Sequence, residues 1–320
     1  MLDHIESAEP AGFGAVLIGE HHFSDFIVSA PHIFLAWLAG RTSTIRLGTG
    51  VTLLPHHDPV RLAEDFATLD IVSGGRAEIW CGKGVEPNVY RQFGQDDTRA
   101  LAMQEEGLDL LVKLWSETNV SWQGTFRPPL DNITLEPRPL QRPHVPIHVA
   151  CSSIESSAAA ATRGLGVTIS MLYFPRRVLP RVIEAYYEAW AEARHAHAPS
   201  VTVHAHVHVA PTSQEARDHL GVYQFPFQRW VFSKKSDADP ETVELPPHIT
   251  DLADPECVVI NGSPEEVQDR IGTLIDTCRF DRFTYQGDYG GQPWPIVHRS
   301  VDLFATEVMP RFTVSANRQD

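Results

Sequence analysis

Short apolar runs alternate with longer stretches in which apolar residues recur every three or four positions. Ala15–Gly19 (A-V-L-I-G), Ile45–Val51, Ala77–Gly82, Ile147–Ala150, Val167–Leu172, Val201–Ala210 and Arg282–Gln286 are compact runs of this kind, which predicts seven strands. Helices are predicted between them. Asp58 followed by Pro59 gives an N-cap and a first-turn proline, ahead of Val60, Ala63, Phe66, Ala67 and Leu69 on one side and a stop at Gly74-Gly75. Residues 178–193 place Val178, Val182, Ile183, Tyr186, Ala189 and Trp190 at helical spacing. Ser263-Pro264-Glu265-Glu266 opens a further helix carrying Val267, Ile271, Leu274 and Ile275.

Strand–helix alternation predicts βα units around a parallel sheet. Two stretches break the rhythm. Residues 117–145 are Pro-rich and carry Trp122 and Phe126, an excursion from the barrel rhythm; residues 233–256 are charged and Pro-rich, as expected of a mobile lid. The expectation is one domain over residues 1–320, an α/β (β/α)8 TIM barrel. Such a barrel has eight strands, yet the sequence opens on a helical stretch, Leu2–Ala11, so the first strand is expected to be missing from this chain. A misassigned start, a cut chain or an incomplete barrel would each produce this.

The 320 residues carry 26 Lys and Arg against 41 Asp and Glu, a net charge of −15. That charge repels nucleic-acid phosphates and anionic membranes. No apolar run reaches the roughly 20 residues of a membrane span, and no signal peptide opens the chain. Four scattered cysteines, with no C-x-x-C among them, fit a reducing cytoplasm.

Barrel enzymes place chemistry at the C-terminal ends of strands. Glu20, His21 and His22 fall at such an end, where an imidazole can move protons near neutral pH or can simply cap the strand against Glu20. Cys151, Ser152, Ser153 and Ser156 follow a strand and open an Ala-rich helix, an N-cap that also suits an anion. His204, His206 and His208 share one face of a strand. Neighbouring pairs stand roughly 7 Å apart, wide for one metal ion, so a hydrogen-bonded polar layer is the expected use and only His208 is a site candidate. His56-His57-Asp58 reads as a loop and helix cap. No G-x-G-x-x-G, Walker loop or H-E-x-x-H occurs.

Five segments together resemble the bacterial-luciferase-like flavin-dependent monooxygenases: Gly12–Phe26 (G-F-G-A-V-L-I-G-E-H-H-F-S-D-F), Ile45–Asp65, Ser73–Gly84, Pro146–Ala158, and the closing helices at Gly262–Val267 and Leu303–Phe312. The resemblance covers nearly the whole chain; the order and spacing of the segments carry it. It implies reduced FMN as cofactor, a separate flavin reductase, O2 and an organic small molecule as substrates, transfer of one oxygen through a flavin hydroperoxide, and a homodimer. It maps His21 onto the catalytic histidine. Gly50-Val51 falls where family members carry a non-proline cis peptide under the flavin ring, Ser152–Ser156 and Lys83 at the phosphate, and Ser170 and Met171 beside the ring. Two alternatives stay open: the deazaflavin coenzyme of a sister branch, and a non-catalytic flavin-binding partner subunit. E-H-H-F looks more like the FMN branch.

Overall fold

The computed structural model describes residues 5–313 except 25, 27, 173, 175, 235–237 and 289. The chain divides into two compact units, Met1–Ala150 and Cys151–Asp320. In the first, β1 (Ala15–Ile18) precedes α1 (Pro31–Ala39), β2 (Arg46–Thr49), a short β3 (Thr52–Leu53), α2 (Pro59–Val72), β4 (Ala77–Gly82), α3 (Pro87–Gln92), α4 (Ala100–Ser116), β5 (Val120–Trp122), β6 (Leu130–Ile133) and β7 (Ile147–Cys151). The order β1-β2-β4-β7 is parallel throughout, and β3 adds to β4 beyond the end of β2.

The ends of these elements are tied by side chains the sequence supplies nearby. Asp58 caps α2 by accepting from the Val60 amide at 2.8 Å. The helix stops at Gly74 and Gly75, whose φ values of +68° and +85° admit glycine at no steric cost. The Arg76 guanidinium that follows donates to the carbonyls of Ala39, Thr42, Ile45 and Ser73, so one cation closes α1 and α2 together. Strand β4 is buried along its whole length, and its one charge, Glu78, is met by Arg46 and by the Trp80 indole N–H at 3.0 Å.

In the second unit, α5 (Ile154–Thr162), β8 (Gly166–Ser170), α6 (Leu179–Ala193), β9 (Val201–Val209), α7 (Ser213–Lys234), β10 (Val259–Gly262), α8 (Pro264–Thr277), β11 (Arg282–Gln286) and α9 (Trp294–Leu303) follow in order. β9 is the hub: β8, β10 and β11 all pair with it in parallel. Val203, Ala205 and Val207 are fully buried, while the histidines between them share the opposite face.

Four segments differ from their expected form. Residues 117–145 hold an antiparallel hairpin, β5 with β6, steadied by Glu106, which accepts from the amides of Thr125 and Phe126. Helix α7 and strand β10 are additions. The segment 233–256 is not structureless among its described residues; 235–237 lie outside them. Its 246–256 portion is fastened: Ile249 is completely buried, Leu252 is 6% exposed, and Arg270 and Asn261 donate to the Leu252 carbonyl. Ile249 and Leu252 are thus already packed, while Val243 and Leu245 are half-buried.

Candidate active site

The C-terminal end of β1 carries Glu20-His21-His22, and a buried carboxylate organises it. Glu20 is 2% exposed. It accepts from His22 Nε2 at 2.8 Å, from His57 Nε2 at 2.9 Å and from the Leu53 amide at 3.0 Å. Burial pushes its pKa up, but His57, His22 and the Leu53 amide outweigh burial and hold it below the usual carboxylate value. An ionised carboxylate only accepts, so both imidazoles carry their proton on Nε2. The Glu20 amide also donates to the Val51 carbonyl at 3.3 Å, which joins the end of β1 to the turn between β2 and β3.

His21 stands apart from this network. Its ring is half-buried and stacks on Phe26 at 4.3 Å, and its backbone amide donates to the Val28 carbonyl. Burial lowers its pKa against the pull of Glu20, so the imidazole is neutral at neutral pH and can accept a proton. The Gly50–Val51 peptide is cis. The Val51 side chain packs closely on β4: a Cβ on Gly82 would lie 2.6 Å from Val51 Cγ2.

His56 was expected to serve only as loop. Its Nδ1 lies 2.6 Å from Gln95 Oε1, whose amide nitrogen is committed to the Pro55 carbonyl. Nδ1 must therefore donate, leaving Nε2 a bare acceptor, and that atom is buried without a partner. Around it stand His22, Tyr90 and Phe93, with Phe23 and Phe93 presenting exposed aromatic faces. Lys83 ends β4 half-buried, its ammonium 3.4 Å from the adjacent Gly84 carbonyl.

The serine turn belongs to the second unit. Ser153 Oγ accepts from the Ser156 amide at 3.1 Å, and Ser156 Oγ accepts from the Ser153 amide at 3.0 Å, a reciprocal capping box. Those two hydroxyls are spent on the helix; the Ser152 side chain is exposed. Glu155, not singled out by the sequence reading, sits in the first turn of α5, its pKa lowered by its own backbone N–H and by the Ser153 hydroxyl. Cys151 is buried, and burial pushes its thiol up to about 12, so it is no nucleophile. Ser170 caps the Leu172 amide at 3.3 Å and Met171 is 1% exposed. On β9, His204 contacts Thr284 and Gln286, His206 contacts Gln224, and His208 contacts His219, which gives the hydrogen-bonded layer expected of this face. Among the described residues, no group of three or more His, Cys, Asp or Glu could hold a metal ion. No described helix is long and apolar enough to cross a membrane.

Residues 1–278 match the luciferase-like monooxygenases. The chain belongs to that family. It is 26% identical over 328 residues to the oxygenase component of the flavin-dependent trigonelline monooxygenase of Acinetobacter baylyi, covering 98% of this chain and 90% of that protein. The crystal structure of monooxygenase RslO1 from Streptomyces bottropensis superimposes with a TM-score of 0.85 at 28% identity, covering 97% of this chain and 93% of that one. Two further structures share the fold alone. One is the oxygenating constituent of 3,6-diketocamphane monooxygenase from Pseudomonas putida in complex with FMN (TM-score 0.76, 23% identity, 97% and 91% covered). The other is an F420-dependent secondary alcohol dehydrogenase (TM-score 0.79, 19% identity, 97% and 93% covered). The fold of this family member is thus the parallel α/β architecture of luciferase-like TIM-barrel enzymes, a fold that one of these proteins uses with FMN and the other with F420.

Proposed function

We propose that this chain is the oxygenase of a two-component monooxygenase, taking reduced FMN from a separate reductase and transferring one oxygen from O2 to an organic small molecule. The observation that carries the reading is the neutral, half-buried His21 beside the Glu20–His22–His57 network at a strand end. The side chains fit FMN in kind. In the first unit, the bare Nε2 of His56 suits a ring N–H, and Phe23 and Phe93 suit an aromatic heterocycle. Each unit by itself offers donors of the kind a phosphate requires, the cation of Lys83 in the first and Ser152 with the helix N-terminus of α5 in the second. Bound reduced FMN would supply the electrons that activate O2. His21 would hold or move the proton that accompanies oxygen transfer, Glu20 would keep the neighbouring imidazoles in one tautomer, and Gly50 and Val51 would shape the floor for the ring. The test is oxygenation of a substrate by the purified chain with a flavin reductase, against the same mixture lacking O2.

Glu155 sets a cost on the phosphate site, because its carboxylate lies on the helix end that an anion would use. Glu155→Gln is expected to tighten FMN about two- to fivefold, the size of one charge at a helix N-terminus. A titration followed by flavin fluorescence reads this; weaker binding in the variant would remove the α5 N-terminus from the site. Lys83→Ala is expected to weaken FMN by about 1.5–3 kcal/mol, the range for a hydrogen bond to a charged group. An unchanged dissociation constant takes Lys83 out of the account.

A homodimer is part of the same proposal; the resemblance implies a contact on the helices after the second and third strands, residues 59–73 among them. Ala63, Phe66, Ala67 and Leu69 of α2 are 0–2% exposed within their own unit and cannot serve a partner. The apolar side chains left outside are Ile71 and Val72 at the end of α2, and Ile33 and Trp37 on α1, at 40%, 57%, 65% and 37% exposure. The double variant Ile33→Glu, Trp37→Glu is expected to sediment as a monomer where the parent is a dimer. A variant that stays dimeric places the contact elsewhere.

A further inference from the structure

The second unit contains a cavity of about 230 Å³ lined by His208, Val209, Glu215, His219, Ile296 and Arg299, among others. At about 30 Å³ per water, it has room for a small molecule. Its wall carries one charge of each sign. Arg299 Nη1 lies 3.5 Å from Glu215 Oε1, with the side chains 61% and 35% exposed. A pair so long and so wet is worth little, and a ligand can part it cheaply. Deeper in, His208 is 1% exposed; its Nε2 lies 3.1 Å from His219 Nδ1, and its Nδ1 has no partner. Burial pushes the His208 pKa down to about 4, so the ring is neutral. One N–H is spent between the two rings. The contact between the rings leaves His208 Nδ1 uncommitted. Val209 and Ile296 add an apolar surface.

The wall discriminates by charge. An anion meets Glu215 as well as Arg299, on a protein of net charge −15. A cation meets Arg299. A neutral molecule leaves the ion pair closed. A zwitterion pairs with both. We propose that this cavity binds a small aliphatic zwitterion of the α-amino-acid class, its carboxylate on Arg299, its ammonium on Glu215 and its side chain against Val209 and Ile296.

Calorimetric titration of the full chain with L-valine, isovalerate and isobutylamine tests this, since the last two keep the branched chain and one charge each. L-valine is expected to bind at least about tenfold tighter than either, and Arg299→Gln and Glu215→Gln are each expected to erase about that factor. Both substituted side chains are solvent-accessible, and an unchanged thermal transition certifies the fold of each variant. Equal affinity for the three probes, no heat with L-valine, or retention of the L-valine advantage in either variant overturns the proposal.

Discussion

Replacing His21 with alanine is expected to slow oxygen transfer by about 10²–10⁴-fold, the usual contribution of a positioned acid–base group. The dissociation constant of reduced FMN should stay within about twofold. The split follows from what His21 touches. Its amide is fixed by Val28 and its ring by stacking on Phe26, so the imidazole edge is held in place without being spent on a structural hydrogen bond. Removing it deletes a proton carrier and little else. The measurement is product formation with a reductase beside a binding titration of the same preparation. Parent-like turnover with intact binding would take His21 out of the chemistry. Loss of binding and turnover together would make it a flavin contact.

Glu20→Ala is expected to act on stability instead, lowering it by about 2–4 kcal/mol, because three donors lose their acceptor at once and each orphaned buried group costs roughly 1–3 kcal/mol before water enters. Glu20→Gln keeps an acceptor oxygen and should lose less. The pH dependence has a definite sign. The folded pKa of Glu20 lies below its ordinary 4.5, so its contribution is fully present above that value and is lost as pH falls through the folded pKa. The glutamine variant should therefore lose less stability than the parent on acidification. Urea unfolding across the acid range reads both effects. A parent and a Glu20→Gln variant that decline in parallel would show that the carboxylate is not ionised and paired in the folded protein.

The barrel strands were legible because each is a short β-branched run bounded by turn residues, and helices α2, α6 and α8 because apolar spacing and caps agree. Helix α7 was hidden. Its buried face runs Ala216, Leu220, Gln224, Gln228, half of it polar, with Gly221 and Pro226 interrupting the pattern. Strand β10 is four residues long and abuts the Ser263 cap, so the apolar run at 257–260, squeezed between the loop 233–256 and that cap, is too short to read as a strand. At the candidate site, E-H-H at a strand end was readable as chemistry. The partnership of Glu20 with His57 was not, since 37 residues separate them and only the folded β1–β2 register brings them together. Glu155 was passed over because an acidic residue in a first helical turn is ordinary capping, and it competes with an anion only once the turn is formed.

Reduced FMN is the cofactor proposed for this family member. Anaerobic titration of the purified chain with reduced FMN and, separately, with reduced F420 tests it most directly. The account predicts saturable binding of reduced FMN that Lys83→Ala weakens, with reduced F420 binding at least about tenfold more weakly. Tighter binding of reduced F420, or no saturable binding of reduced FMN, would contradict it.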